Sequence, residues 1–238
     1  MAAGRSPPTF LLLGAAGGGK SLLVRRLRQL SAEQPAELGE PPATLPTVGT
    51  NLTDLRLPRR VTVRELGGCM GPIWPSYYSE CSALLVGEQH RGRGPGVLRG
   101  HGLVGRCPGF APVRDPLRRA PLWPGPARVA PGTAAPRFPC SLQFVVDASN
   151  PTQLSSSCIQ LLSVLSAAPL SSVPVLVLFN KIDLPCYMSL VEMKSLLRMQ
   201  DMVACATQPI TMLETSARDG TGLAEVLQWL RSTLREPC

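Results

Sequence analysis

A glycine-rich stretch near the start of the chain constrains the possible folds most strongly. It fits the pattern of a glycine, any four residues and then Gly-Lys-Ser, and it consists of Gly14, Ala15, Ala16, Gly17, Gly18, Gly19, Lys20 and Ser21. A short apolar run, residues 9–13, precedes it, and leucines at helical spacing follow over residues 21–30. The order predicts a strand, a tight glycine loop and a helix.

The chemistry of this stretch is that of a phosphate-binding loop. Glycines allow the backbone to approach phosphates closely, and successive N–H groups together with a helix N-terminus provide positive charge. We expect Lys20 to reach the β- and γ-phosphates of a nucleotide and Ser21 to bind Mg²⁺. An incidental lysine beside a glycine turn would not account for the strand and the helix on either side.

The rest of the chain alternates between strand and helix patterns. We predict strands over residues 51–57, 61–65, 144–147, 173–179 and 208–214, and helices over residues 151–167, 189–200 and 223–235. This alternation predicts an α/β fold with a doubly wound, mostly parallel six-stranded sheet and helices on both faces. Ligands of such folds bind at the carboxyl ends of the strands.

A second motif follows the apolar strand pattern of residues 173–179. It consists of Asn180, Lys181, Ile182 and Asp183. An aspartate at this edge of the sheet can accept hydrogen bonds from the ring N–H and the exocyclic amine of guanine, whereas adenine has no matching pair of donors. The motif therefore favours guanine over adenine.

Together these motifs resemble those of the Ras-like small GTPases, and in particular the ADP-ribosylation-factor-like branch. Residues 45–51, Leu-Pro-Thr-Val-Gly-Thr-Asn, resemble the first switch of that branch, and Glu65-Leu66-Gly67-Gly68 resembles the second. Thr215-Ser216-Ala217 resembles the guanine-contacting loop, and residues 223–230 with Trp229 resemble the last helix. The resemblance covers residues 9–85 and 144–235.

The resemblance implies a P-loop GTPase that binds GTP or GDP with Mg²⁺ and engages protein effectors and regulators. Ser21, Thr47 and Glu65 would form the metal site, and the Gly68 N–H would contact the γ-phosphate. The implied nucleotide-binding residues are Gly14, Ala15, Ala16, Gly17, Gly18, Gly19, Lys20, Ser21, Thr47, Gly68, Asn180, Lys181, Asp183, Ser216 and Ala217. Loss of the γ-phosphate would release both switches.

Departures from the family pattern affect turnover and partner choice. Cys69 stands where the family has the glutamine that orients water, and Glu65 replaces an aspartate. A thiol is a weak hydrogen-bonding group, so we expect slow GTP hydrolysis at best and assign no catalytic residue. Thr50 and Arg64 replace aromatic residues of the effector surface, while two aromatics of the second switch, Trp74 and Tyr77, remain.

Residues 86–143 differ in composition from the rest of the chain. They contain ten glycines, ten prolines and nine arginines, but no lysine and only two acidic residues, so nearly all of the net charge of +8 lies here. We expect a low-complexity, disordered insert in a GTPase domain formed by residues 1–85 and 144–238. With few aromatic residues in the insert, nucleic-acid binding is disfavoured.

This insert would interrupt a buried strand that joins residues 82–85 to residues 144–147. Alternatively, Leu142 and Gln143 could replace Leu84 and Leu85 in that strand, which would bury Gln143. An unpaired buried amide costs about 1–3 kcal/mol.

The remaining features favour a cytoplasmic protein without a stable membrane anchor, and the resemblance implies a monomer. The eight cysteines show no metal-binding spacing, which predicts reduced thiols, and Ala2 replaces the glycine that myristoylation requires. Three alternatives stay open at this point. They are a nucleotide-loaded scaffold that hardly cycles, an ATPase or kinase, and a poorly folded variant form of the GTPase.

Overall fold

The computed structural model describes residues 7–32, 39–83, 140–186 and 188–235. These contain a six-stranded sheet in the order β2-β3-β1-β4-β5-β6. The strands are β1 (Thr9–Gly14), β2 (Thr50–Arg56), β3 (Arg60–Leu66), β4 (Leu142–Asp147), β5 (Val175–Asn180) and β6 (Ile210–Thr215). Only β2 and β3 pair antiparallel, whereas the other neighbours are parallel. The predicted doubly wound, mostly parallel sheet is confirmed.

Helices cover both faces of the sheet, as predicted. They are α1 (Lys20–Leu30), α2 (Pro75–Ala83), α3 (Leu154–Leu165), α4 (Leu190–Leu196), α5 (Met199–Cys205) and α6 (Leu223–Arg235). One apolar core lies between the sheet and α2 to α5, and a second lies between the sheet and α1 with α6. Every residue of β4 and β5 is buried, which explains their nearly continuous apolar sequences.

Residues 189–200 form two helices and not the single helix predicted. Ser189 caps α4 through a capping box with Glu192, and Arg198 then takes a left-handed backbone conformation with φ 51° before α5 begins. Met193 and Met199 both enter the core, although six residues along a straight helix place side chains about 240° apart. The turn at Arg198 resolves this conflict.

The strand β4 begins two residues before the predicted boundary. Leu142 pairs with Leu11 on one side and with Val175 on the other, so the alternative in which Leu142 and Gln143 enter the strand is the observed one. Gln143 is 4% exposed, and its amide donates to the Ser141 hydroxyl over 2.8 Å. The predicted insert, residues 86–143, is therefore too long at its end: residues 140–143 are buried and belong to the folded domain. Residues 84–139, which hold the rest of the predicted insert, lie outside the described residues.

The prediction that the cysteines are reduced is wrong for one pair. Cys81 in α2 and Cys140 beside β4 form a disulfide, with their Cα atoms 5.7 Å apart. The pair meets because α2 packs on the sheet beside the start of β4, which brings together residues separated by 59 positions. Four other cysteines of the described residues are free: Cys69, Cys158, Cys186 and Cys205.

Within the described ranges, no helix combines the length and the apolar character that crossing a membrane requires.

Candidate nucleotide-binding site

The glycine-rich loop lies where the sequence predicted it, between β1 and α1. Gly17 and Gly19 have positive φ values of 79° and 84°. A Cβ on Gly19 would lie 2.5 Å from the side-chain nitrogen of Asn180. The loop therefore needs glycine there both for its backbone conformation and for its close packing against the β5 end.

Lys20 is buried at the start of α1, with its side chain folded back over this loop. Its Nζ donates to the carbonyl oxygens of Gly14 and Ala15, each over 2.8 Å. Burial lowers the pKa of Lys20 to about 8, although the nearby Glu65 and Cys69 act in the opposite direction. Because its two hydrogen-bond acceptors are neutral, the ammonium can stabilise an anion bound in the loop.

The three predicted metal ligands converge at one point. The Ser21 hydroxyl donates to Glu65 Oε1 over 2.6 Å, and it lies 3.0 Å from the Thr47 hydroxyl, which donates to the same carboxylate oxygen over 3.1 Å. Glu65 is buried at the end of β3. Two hydroxyls and a carboxylate form an oxygen-only donor set, which fits Mg²⁺.

The two predicted switches contact each other and the phosphate loop. The Gly67 N–H donates to the Gly49 carbonyl over 2.9 Å. A Cβ on Gly68 would clash with the backbone of Ala15 and Ala16, so only glycine permits this approach. Gly68 is therefore in a position to offer its N–H to a group bound in the loop.

Cys69, at the position of the family glutamine, is exposed beside the first switch. Its Sγ lies 4.0 Å from the Thr47 carbonyl oxygen. A thiol is a weak donor and a weak acceptor, so it orients water poorly at this position.

Asn180 joins the phosphate loop to residues 215–217, the predicted guanine-contacting loop, called the base-contacting loop below. Its amide nitrogen donates to the Gly18 carbonyl over 2.9 Å, and its amide oxygen accepts from the Ala217 N–H over 3.1 Å and from the Thr215 hydroxyl over 3.3 Å. Asn180 is buried, so these bonds are shielded from water. One side chain thus fixes the relative positions of two predicted motifs.

Asp183 is exposed and held from one side. Its Oδ1 accepts from the buried Ser216 hydroxyl over 2.7 Å, and among the described residues its Oδ2 has no hydrogen-bond partner. A carboxylate fixed in this way presents an acceptor to a ligand at the sheet edge. Such an acceptor suits the exocyclic amine of guanine.

Sequence reasoning missed Asp147, the last residue of β4. Lys181 has a left-handed backbone with φ 70°, and its Nζ lies 2.6 Å from a carboxylate oxygen of the buried Asp147. A charged residue at the end of a strand that is otherwise buried and apolar was the available signal. The ion pair fixes the lysine side chain within the base-contacting motif.

Trp74 is not the effector-surface aromatic that the sequence suggested. It is 2% exposed, its indole nitrogen donates to the Gly67 carbonyl over 3.1 Å, and its ring meets Phe144 edge-on at a centroid distance of 6.4 Å. The second switch is anchored to the core through this ring. Tyr77 is half-buried, with the Arg64 guanidinium 5.6 Å from its ring centroid.

Comparison with known proteins gives consistent matches. The model of the ADP-ribosylation factor family matches residues 140–234. The chain is 48% identical over 226 residues to human ADP-ribosylation factor-like protein 16, a match that covers 94% of the chain and 85% of the relative. It is 22% identical over 229 residues to ADP-ribosylation factor-like protein 1 of Drosophila melanogaster, with coverages of 95% and 88%.

A solved structure has the same fold. The Arl6 BBS3 small GTPase from Trypanosoma brucei, with the nucleotide analogue GppNp bound, superposes with a TM-score of 0.61 at 16% identity. The match covers 98% of this chain and 100% of that one. This match shows the fold, and the 48% identity to the human relative over 94% of the chain shows that the chain belongs to the ADP-ribosylation factor family of small GTP-binding proteins.

Proposed function

We propose that this protein is a molecular switch that binds GTP or GDP together with Mg²⁺ and hydrolyses GTP slowly. Family membership supports guanine-nucleotide binding in general. The observation that carries the more detailed proposal is the position of Asn180, which bonds to the phosphate loop and to the base-contacting loop at once. This arrangement suits a ligand with phosphates at one end and a base at the other.

The phosphate end would be held by the loop from Gly14 to Gly19, by Lys20 and by the amide of Gly68. The base end would be held by Asn180, Lys181, Asp183, Ser216 and Ala217. Asp183 would reject adenine, because adenine would leave this acceptor without a donor. GTP is therefore the expected triphosphate, and an ATPase or kinase activity is not favoured.

Ser21, Thr47 and Glu65 would hold Mg²⁺. The ion would neutralise phosphate charge when bound. The convergence of these oxygen atoms within 3.1 Å supports this assignment. Glu65 is longer than the aspartate of the family pattern, and in the structure it reaches both hydroxyls directly.

Switching would depend on Thr47 and Gly68, one from each switch. Both would contact the γ-phosphate side of the nucleotide, and the Gly67 to Gly49 hydrogen bond couples the two segments. When the γ-phosphate leaves, both contacts are lost and the segments relax.

Protein effectors would bind the exposed apolar residues in and next to the two switches. Leu45 and Val48 are 88% and 89% exposed, and Leu52 and Ile73 are also exposed. Leu45 and Val48 lie within the first switch, and Leu52 and Ile73 follow the first and the second switch, so a change in Thr47 or Gly68 would alter the surface that they form. We further propose a cytoplasmic monomer that does not depend on nucleic acid or a stable membrane anchor; this proposal rests on family membership, because the paired Cys81 and Cys140 remove the reduced-thiol argument for the location.

A second candidate is a nucleotide-loaded scaffold that hardly cycles. The exposed Cys69 thiol favours it, because this position lacks an amide that could both accept from water and donate to phosphate. The two candidates share the nucleotide site and differ only in turnover.

A competition titration tests the proposal. Fluorescent mant-GDP bound to the purified chain would be displaced by GTP, GDP or ATP, with Mg²⁺ present or removed by EDTA. We expect displacement by GTP and GDP at least about a hundredfold more effective than displacement by ATP, and faster release without Mg²⁺. Equal displacement by ATP would contradict the proposal.

A further inference from the structure

We propose that Arg26 is a positioning residue that holds the guanine-contacting loop against the phosphate-binding helix and thereby supports the preference for guanine. This inference rests on the proposed nucleotide site. Arg26 lies six residues after Lys20 on α1, and it is outside every motif from which the site was predicted.

The guanidinium of Arg26 is buried and binds main-chain carbonyls of two distant segments. Arg26 is 1% exposed. Its Nε donates to the Ala217 carbonyl over 3.4 Å, and its Nη2 donates to the carbonyls of Arg218 over 3.3 Å and Gly39 over 2.6 Å. Its Nη1 donates to the Gln29 side chain over 3.2 Å.

Burying a guanidinium is unfavourable unless its N–H groups find acceptors. Among the described residues no acidic side chain forms an ion pair with Arg26, so neutral carbonyls provide its hydrogen bonds. An aliphatic residue could fill the same space without this desolvation. The arginine is therefore best explained by the segments that it connects.

One of these segments is the proposed base-contacting loop, residues 215–217. The Ser216 hydroxyl holds Asp183, and the Ala217 N–H binds Asn180. Arg26 holds the same loop through the Ala217 carbonyl, on the side where the chain runs toward Arg218. Loss of Arg26 would thus free one side of the loop and displace Ser216, the partner of Asp183.

The effect should fall on base recognition more than on phosphate binding. Lys20 and the glycine loop make their own contacts, whereas the direction of the Asp183 carboxylate depends on Ser216. Inosine diphosphate distinguishes an effect on base recognition from an effect on phosphate binding, because it has the same phosphates as GDP but lacks the exocyclic amine that Asp183 would bind.

The experiment measures dissociation constants of GDP and inosine diphosphate for the full chain and for Arg26→Gln, Arg26→Lys and Arg28→Gln. Arg28 is an exposed arginine of the same helix and provides the matched control. We expect Arg26→Gln to weaken binding of GDP about tenfold and binding of inosine diphosphate less than about threefold. The effect of Arg26→Lys should lie between those of the unmodified chain and Arg26→Gln, and Arg28→Gln should change neither dissociation constant.

Equal weakening of both nucleotides, or no weakening, would overturn the role of Arg26. If Arg26→Gln does not fold, Arg26→Lys gives the same comparison with the charge retained. A ratio of the inosine diphosphate and GDP dissociation constants that Arg26→Lys leaves unchanged would also overturn the role of Arg26. When Asp183 is already replaced by alanine, adding Arg26→Gln should leave this ratio unchanged. An unmodified chain that binds both nucleotides equally would instead contradict the proposed base site itself.

Discussion

Asn180 and Glu65 are the two side chains on which the arrangement of the site depends most. Asn180 uses both atoms of its amide to bind loops that are far apart in sequence. Glu65 brings together the hydroxyls of Ser21 and Thr47. Both are buried. Replacing Asn180 would leave its buried partners at Gly18, Thr215 and Ala217 without hydrogen bonds, at a cost of about 1–3 kcal/mol for each unsatisfied group, whereas the half-buried hydroxyls of Ser21 and Thr47 would still reach water if Glu65 were replaced.

Replacing Cys69 with glutamine tests the proposed reason for slow turnover. An amide at this position can accept from water and donate to phosphate, so Cys69→Gln should raise the single-turnover hydrolysis rate at least about tenfold. GTP affinity should change little. Cys205→Gln, at an exposed free cysteine in α5, is the control. An unchanged rate for Cys69→Gln would mean that something other than the thiol limits turnover.

Some residues of the site could be predicted from the sequence, and others could not. The phosphate loop and the Asn180 motif are contiguous patterns, each placed between a strand and the following segment. Asp147 and Arg26 act through partners 34 and 191 positions away, namely Lys181 and Ala217. A local pattern contains no information on such contacts, because only the folded sheet and the helices packed on it bring these residues together.

Among the strands and helices, those with strong apolar periodicity were predicted well from the sequence. The buried strand β5 and the amphipathic helix α6 could be predicted from their apolar patterns. The break between α4 and α5 at Arg198 could not, because it depends on how Met199 packs in the core. The start of β4 was ambiguous because two pairs of residues, Leu84 with Leu85 or Leu142 with Gln143, could precede Phe144 in the strand. The pair Leu142 and Gln143 occupies it.

The disulfide between α2 and the segment before β4 gives a prediction at this scale. Reduction, or the double change Cys81→Ser and Cys140→Ser, should lower the free energy of unfolding by about 2–4 kcal/mol, because a loop defined by a separation of 59 positions is no longer closed. Chemical denaturation with and without dithiothreitol measures this.

Cys158→Ser is the control, since Cys158 is a free cysteine. The GDP dissociation rate should stay the same in all of these variants, because Cys81 and Cys140 touch none of the proposed site residues. Identical denaturation curves under oxidising and reducing conditions would show that the disulfide does not form in solution.

At the scale of the whole molecule, the described residues contain every strand of the sheet and both apolar cores. The Cα atoms of Cys81 and Cys140, which flank residues 84–139, are 5.7 Å apart. A short connection can therefore replace that segment without disturbing β4. This geometry supports the proposal that the GTPase domain is complete without the insert.

Replacing residues 84–139 with a four-residue Gly-Ser linker tests this directly. The shortened chain should bind mant-GDP within about threefold of the full chain and should unfold in a single transition, because its cores and its site are unchanged. The full chain measured in parallel is the control. Failure of the shortened chain to bind nucleotide would show that the segment contributes to the domain.

We propose that one nucleotide is held by its phosphates at Lys20 and by its guanine base at Asp183. The most direct test is the dissociation constant of GTP for Asp183→Ala, with Asp201→Ala, an exposed aspartate in α5, as the control. We predict that Asp183→Ala weakens GTP binding at least about a hundredfold and does not weaken ATP binding, while Asp201→Ala changes neither dissociation constant. If Asp183→Ala binds GTP as tightly as the unmodified chain does, Asp183 does not hold the guanine base.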